Sequence, residues 1–142
     1  MKFYTVGFLF SENRDRIILV KKNRPDWQIG KLNGIGGHIE EDELPLDCMI
    51  REFEEEAGVL IPDWEHFCTI TDKKDFQVEF FRSFKSEDTL KKCRTVTDEI
   101  IINTAISDIP VYYDVIENLK WIIPLALSKD NGIPLYIEER KC

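Results

Sequence analysis

No stretch of this sequence approaches the roughly 20 consecutive apolar residues that a membrane-spanning helix needs. The richest run, Trp121 to Leu127, is interrupted by Pro124. Basic residues are in deficit: 19 Lys and Arg face 27 Asp and Glu, a formal charge of −8. That balance excludes a sequence-independent hold on nucleic acid polymers through a broad basic surface. Cysteine is sparse and scattered. Cys48, Cys68, Cys93 and Cys142 form no CxxC pair that would suggest a structural zinc or a dithiol redox site, so reduced thiols are expected. There is no internal repeat and no low-complexity linker, and Gly and Pro punctuate short elements throughout, which predicts one domain over residues 1–142. The apolar start, Met1 to Phe10, is broken by Gly7 and turns polar at Ser11, so it reads as a first strand and not as a secretory signal; a cytoplasmic setting is the expectation.

What is present is ample material for a core: 43% of the 142 residues are hydrophobic and 11% aromatic, which excludes a disordered acidic chain. Tyr4 to Phe10 and Arg16 to Lys21 are rich in β-branched and aromatic residues and flank a polar five-residue link, so they predict a hairpin. Asn23 to Asn33 reads as a loop leading into Gly34-Ile35-Gly36-Gly37, a glycine loop that a ligand could approach closely. From Pro45 to Ala57 the apolar residues Leu46, Ile50, Phe53 and Ala57 recur at helical spacing, with Pro45 suited to the first turn and Gly58 to the stop. Leu44 supplies no capping oxygen. Further strands are predicted at Phe67 to Thr71, Phe76 to Phe84 and Ile100 to Thr104. A second helix is predicted to start near Val111 to Val115 and to run towards Trp121 or beyond, with its end left open by Pro124. Strands interleaved with two helices predict an α/β sandwich around a mixed sheet.

The helix carries Arg51-Glu52-Phe53-Glu54-Glu55-Glu56. Glu52, Glu55 and Glu56 stand at i, i+3 and i+4, so their carboxylates share one face and repel by a few tenths of a kcal/mol per pair. A solvated face is the ordinary fate of such a charge run. A divalent cation is the alternative. Hard oxygen donors favour Mg²⁺ or Mn²⁺, and Mg²⁺ binds through one or two carboxylates, water and substrate phosphates. The longer register decides between the two. Gly37 is followed after five residues by Glu43, after seven more by Arg51-Glu52, then by a bulky apolar residue, Glu55-Glu56, Gly58 and apolar Val59.

This register resembles the signature of the Nudix hydrolase family at Gly37, Glu43, Arg51, Glu52, Phe53, Glu55, Glu56, Gly58 and Val59. The segments Trp27 to Gly36 and Asn118 to Leu125 are also similar to small members of the family. The resemblance implies a Nudix-type α/β/α sandwich and a Mg²⁺-dependent pyrophosphohydrolase, with Mn²⁺ as substitute, acting on a nucleoside diphosphate linked to a further group. It assigns Glu55 and Glu56 to the metal, and Glu52 to the metal or to the base that deprotonates the attacking water. Arg51 and Glu43 would orient the glutamates and tie the loop to the helix. Gly37 would shape the loop, and the Gly36 carbonyl would join the metal shell.

Outside the signature, the resemblance implies an additional metal-binding or basic glutamate later in the chain, for which Glu99 is the candidate, with Asp98 or a plain surface pair an equal competitor. Trp27, in a polar loop, is the aromatic most available to stack on a base, whereas Phe76 and Phe81 read as core. Of Lys21, Lys22, Arg24 and Lys31, Lys21 is the candidate for phosphate. His38, next to Gly37, could touch phosphate or metal but reads as a solvated or hydrogen-bonding residue, and His66 shows no partner; neither is a candidate site residue. The expected partner is a small-molecule nucleotide, with a homodimer left open. Proline and aromatic-proline markers of ADP-ribose and NADH hydrolases are absent, and Lys31 to Glu40 is similar to small nucleoside-triphosphate and oxidised-nucleotide diphosphatases, so a (deoxy)nucleoside triphosphate is the expected substrate. Nucleotide sugars and dinucleoside polyphosphates remain alternatives. A non-catalytic Nudix-like nucleotide-binding module is the rival from another class, although such modules usually lose box glutamates. A structural calcium site ranks last, because the acidic register does not fit an EF-hand loop.

Overall fold

The computed structural model describes residues 1–128 and 132–140. Its first strand, β1 (Lys2–Ser11), organises the rest. Along one edge it pairs in parallel over its whole length with β6 (Phe76–Lys85). Its other edge is shared: Tyr4 to Gly7 pair antiparallel with β4 (Ile35–His38), while Leu9 and Phe10 pair with β2 (Arg16–Lys21). The predicted hairpin is thus present, and the predicted glycine loop is a strand at Gly36 and Gly37. Glycine has little strand propensity, and pairing with β1 overrides it. On β2 lie β3 (Leu32–Asn33) and β7 (Ile100–Ala105); on β6 lies β5 (Glu65–Thr71), which pairs in parallel with β8 (Leu135–Glu138).

Strand alternation sends side chains to two cores. Phe8, Phe10, Ile17, Leu19 and Phe80 pack with Leu119, Ile122, Ile123 and Ala126 of α4 (Leu119–Ala126). Leu9, Ile18, Val20, Ile35 and Phe81 pack on the other face with Met49, Phe53 and Ala57 of α1 (Pro45–Ala57) and with Leu90 of α2 (Glu87–Lys92). Helices therefore cover both faces of a mixed sheet. The helix α1 has the predicted bounds, lacks a side-chain cap at Leu44, and stops at Gly58, whose φ of 75° is left-handed and whose N–H donates to Glu54 O. Its buried face differs from the predicted stripe: Leu46 is exposed and Ile50 only half-buried, while Cys48 and Met49 are buried with Phe53 and Ala57. The second predicted helix is split. A single turn, α3 (Ile109–Tyr112), is followed by irregular chain, and α4 begins only at Leu119 and contains Pro124. Cys48, Cys68 and Cys93 are free thiols, and Cys142 lies outside the described residues. Among the described residues no helix is long and apolar enough to cross a membrane.

Candidate active site

The C-terminal residues of β4 and the C-terminal half of α1 bring the signature together. Arg51 is the hub. Its Nε donates to Glu43 Oε2 at 2.8 Å and its Nη2 to Glu43 Oε1 at 2.9 Å, a two-pronged bond that ties the segment before α1 to the helix. Nη1 reaches Glu52 Oε1 at 3.0 Å and Glu55 Oε2 at 3.3 Å, and Nη2 reaches the His38 carbonyl at 3.4 Å. The Arg51 guanidinium holds the Glu43 carboxyl down at about 2, burial opposing it less strongly. Burial pushes the Glu52 carboxyl above its ordinary value, and Arg51 only partly offsets this.

Glu56 has no such partner. Its Oε2 is buried without a hydrogen bond, and burial, reinforced by Glu52, Glu99 and Glu55, pushes its carboxyl up to about 7. Among the described residues no three carboxylate, imidazole or thiol side chains converge closely enough to hold a metal as they stand. Arg51 supplies a physical reason, since it draws the Glu52 and Glu55 carboxylates to itself. The donor set still fits a hard divalent cation: it is all oxygen, and it includes an orphaned, buried carboxylate oxygen whose ionisation needs a counter-charge.

Beside this face lies a cavity of about 590 Å³. Its β1 residues, Tyr4, Thr5 and Val6, lie where that strand pairs with β4. Val6, Ile70, Phe76, Val78 and Phe80 form an apolar sheet wall, Pro25, Trp27 and Gln28 the facing loop, and Gly36, Gly37 and His38 the end nearest the acidic helix. Trp27 lines it while remaining 63% exposed. Gly37 joins cavity and helix, because a Cβ there would lie 2.5 Å from Glu52 Oε1.

The structure places the sequence candidates unevenly. Glu43, Arg51, Glu52, Glu55 and Gly37 lie within one network, and Gly36 and Trp27 line the adjoining cavity. Glu99 is buried, 3% exposed, and accepts from Lys22 Nζ at 3.0 Å and from Asn23 N at 2.8 Å, whereas its competitor Asp98 is exposed and pairs with Arg24. Lys21 does not line the cavity. It is exposed at the end of β2, and its neighbour Lys22 takes the cavity-lining position. His66 has partners after all, Glu79 Oε2 at 2.7 Å and Thr69 Oγ1 at 3.0 Å. His38 lines the cavity with its ring edge-on to Tyr4, centroids 5.4 Å apart. Phe81 is core, while Phe76 is half-buried on the cavity wall. Asn33 and Asn118 were not singled out from the sequence, yet both line the cavity. Asn118 stands at the N-cap of α4 without capping it, and its Oδ1 is buried without a partner. The sequence places Asn118 inside the predicted second helix, and its one signal there is the similarity of the segment Asn118 to Leu125 to small family members.

A family model for the NUDIX domain matches residues 1–109 of this chain. The chain belongs to the Nudix hydrolase family. As a Nudix hydrolase it is an enzyme of the nucleotide pyrophosphohydrolase class. A search of curated proteins finds no match. Solved Nudix structures share the fold. A MutT structure from work on Aliivibrio salmonicida and Vibrio cholerae is 16% identical, with a TM-score of 0.69 over 89% of this chain and 97% of its own. A MutT protein from Bacillus halodurans is 18% identical, with a TM-score of 0.69 over 96% of this chain and 87% of its own. The NUDIX domain of Shewanella oneidensis NrtR, solved with ADP ribose, is 19% identical, with a TM-score of 0.71 over 87% of this chain and 84% of its own.

Proposed function

We propose that this Nudix enzyme hydrolyses a (deoxy)nucleoside triphosphate, with an ordinary or an oxidised base, to the nucleoside monophosphate and pyrophosphate. The observation that carries this reading is the continuity of the nucleoside-sized cavity with the acidic helix through Gly37, which lines the one and abuts Glu52 of the other. A base fits the apolar end, between Trp27 and the sheet wall, and the unpartnered Asn118 Oδ1 offers an acceptor to an N–H of that base. The phosphates then extend past Gly36 and Gly37 towards Glu52.

Glu52, Glu55, Glu56 and the Gly36 carbonyl are the groups that would hold Mg²⁺ or Mn²⁺. A divalent cation held there would supply charge neutralisation for phosphate oxygens and a lowered pKa for water, so that hydroxide could be formed near neutral pH. Glu52 is suited to take the proton from the attacking water, because burial has raised its basicity. Arg51 keeps that carboxylate in place and Glu43 keeps Arg51 in place. The chemistry belongs with a cytoplasmic, reducing setting, in keeping with the free thiols of Cys48, Cys68 and Cys93.

The test is a panel of nucleoside triphosphates, 8-oxidised analogues, ADP-ribose, nucleotide sugars and dinucleoside polyphosphates, assayed with Mg²⁺ and with Mn²⁺ and resolved by chromatography. Monophosphate plus pyrophosphate from a triphosphate is the expected result. Nucleoside diphosphate plus phosphate rejects the reaction class. Cleavage confined to ADP-ribose, the ligand of the NrtR domain, or to another linked diphosphate rejects the substrate. Tight binding without turnover of any of them favours a nucleotide-binding module.

A further inference from the structure

Glu99 sits in the segment before β7, and both partners of its carboxylate come from the segment after β2: the Lys22 ammonium at 3.0 Å and the Asn23 N–H at 2.8 Å. Two further links run beside them. Asn23 Nδ2 donates to the Asp98 carbonyl at 3.1 Å, and the Arg24 guanidinium pairs with Asp98. The Arg24 and Asp98 side chains are 63% and 61% exposed, so water screens that pair and it holds little. Lys22 differs. Its side chain is 18% exposed against 4% for Glu99, and it also lines the nucleotide cavity. The Lys22 ammonium and the Glu99 carboxylate also stand near enough to Glu56 of α1 to act on it electrostatically. Lys22 is thus the counter-charge of a buried carboxylate at the edge of the cavity. A buried carboxylate that loses its cation is costly to keep in place. Glu99 would be driven towards water.

We propose that Lys22 is a positioning residue, which fixes the Glu99 carboxylate beside Glu56 and thereby sets the rate of hydrolysis and not the affinity for nucleotide. This rests on the reading of the chain as a triphosphate pyrophosphohydrolase. It also explains why the cavity places a lysine where a direct phosphate ligand would be expected, yet spends its charge on a glutamate.

The experiment combines hydrogen exchange with steady-state kinetics on Lys22→Met, Lys22→Arg, Glu99→Gln and the Lys22→Met/Glu99→Gln double variant, each checked by thermal melting. In Lys22→Met the Asn23 amide, bonded to Glu99 in the parent, should lose its protection. kcat should fall about tenfold to a hundredfold, the usual cost of losing a residue that orients a ligand or acid. KM should stay within about twofold of the parent. Lys22→Arg should restore most of the rate. The double variant should be no slower than the slower single variant, because both remove one device. A raised KM at unchanged kcat would make Lys22 a substrate contact and overturn the proposal. So would an Asn23 amide that stays protected in Lys22→Met, or additive losses in the double variant. A parent enzyme that hydrolyses no triphosphate defeats the functional reading instead, and the exchange measurement still decides whether Lys22 holds Glu99.

Discussion

Gly37 of β4 and Glu52 of α1 are in such close apposition that a Cβ on the glycine would lie 2.5 Å from one carboxylate oxygen and 2.7 Å from the other. At Gly36 the missing side chain has a different reason, since a Cβ there would stand 1.8 Å from the Thr5 carbonyl oxygen of the neighbouring strand. One glycine lets the sheet close. The other lets the acidic helix reach the cavity wall.

The two glycines therefore fail differently. In Gly37→Ala the Glu52 side chain can give way, so the protein should fold with a loss of about 1–3 kcal/mol, the range for overpacking, while kcat drops because the carboxylate has moved. In Gly36→Ala the obstacle is backbone, and little folded protein is expected. Thermal melts and single-turnover rates on the two variants separate these outcomes; equal stability of both would sink the assignment.

Glu56 makes a prediction about pH in protein freed of divalent ions. Its carboxyl is ordinary, near 4.5, when unfolded and rises to about 7 when folded. The folded state then holds the extra proton, so this contribution is fully present below pH 4.5 and is lost as pH rises through about 7. The loss is on the order of 3 kcal/mol at most. Urea midpoints measured from pH 4.5 to 8 in EDTA should fall accordingly. Glu56→Gln should flatten the trend. Millimolar Mg²⁺ should counter it, adding about 2.7 kcal/mol at a hundredfold excess over Kd. A pH-independent midpoint, or a melt that Mg²⁺ leaves unchanged, would speak against Glu56 as the orphaned acid of the site.

Much of this arrangement was legible from local pattern, and the rest was not for identifiable reasons. Pro45, Gly58 and the glutamate spacing announce α1, because caps and periodicity are local. The buried face of that helix is decided by what it packs on, which is why Met49 and Cys48 are inside while Leu46 is exposed. Gly36 and Gly37 read as loop because their strand exists only through pairing with β1. The choice between Lys21 and Lys22 was not legible, since adjacent residues at a strand end point in opposite directions and only the fold exposes Lys21 and turns Lys22 to the cavity. Glu99 became distinguishable from Asp98 only when Lys22 was found beside it, 77 residues away in sequence.

Arg51 and Glu43 supply an acid-limb prediction of opposite sign to that of Glu56. The Glu43 carboxyl is depressed from 4.5 to about 2, so its stabilisation is present above pH 4.5 and is lost as pH falls towards 2. Arg51→Lys cannot reproduce the two-pronged bond and should cost about 1.5 kcal/mol at neutral pH. The gap between parent and variant should close as pH approaches 2. Chemical denaturation at pH 2, 3.5 and 6 measures it. A gap that persists at pH 2 would place the role of Arg51 elsewhere.

Glu52→Gln should separate stability from activity. The substitution keeps the length and volume of the side chain, leaves an oxygen to accept from Arg51, and removes a like charge three and four residues from Glu55 and Glu56. Relief of that repulsion is worth a few tenths of a kcal/mol, so the metal-free protein should be as stable as the parent or slightly more so. Activity should move the other way. A positioned general base contributes about 10² to 10⁴ in rate, and weakened metal binding adds to the loss. Steady-state hydrolysis under saturating Mg²⁺, with urea denaturation of the same preparations, gives both quantities. A variant within a few-fold of the parent would make Glu52 a helix-surface charge, and Glu99, buried beside Lys22, the next candidate to activate the water. A variant that fails to fold would mean that the Glu52 carboxylate, and not only Glu43, ties the chain before α1 to the helix through Arg51.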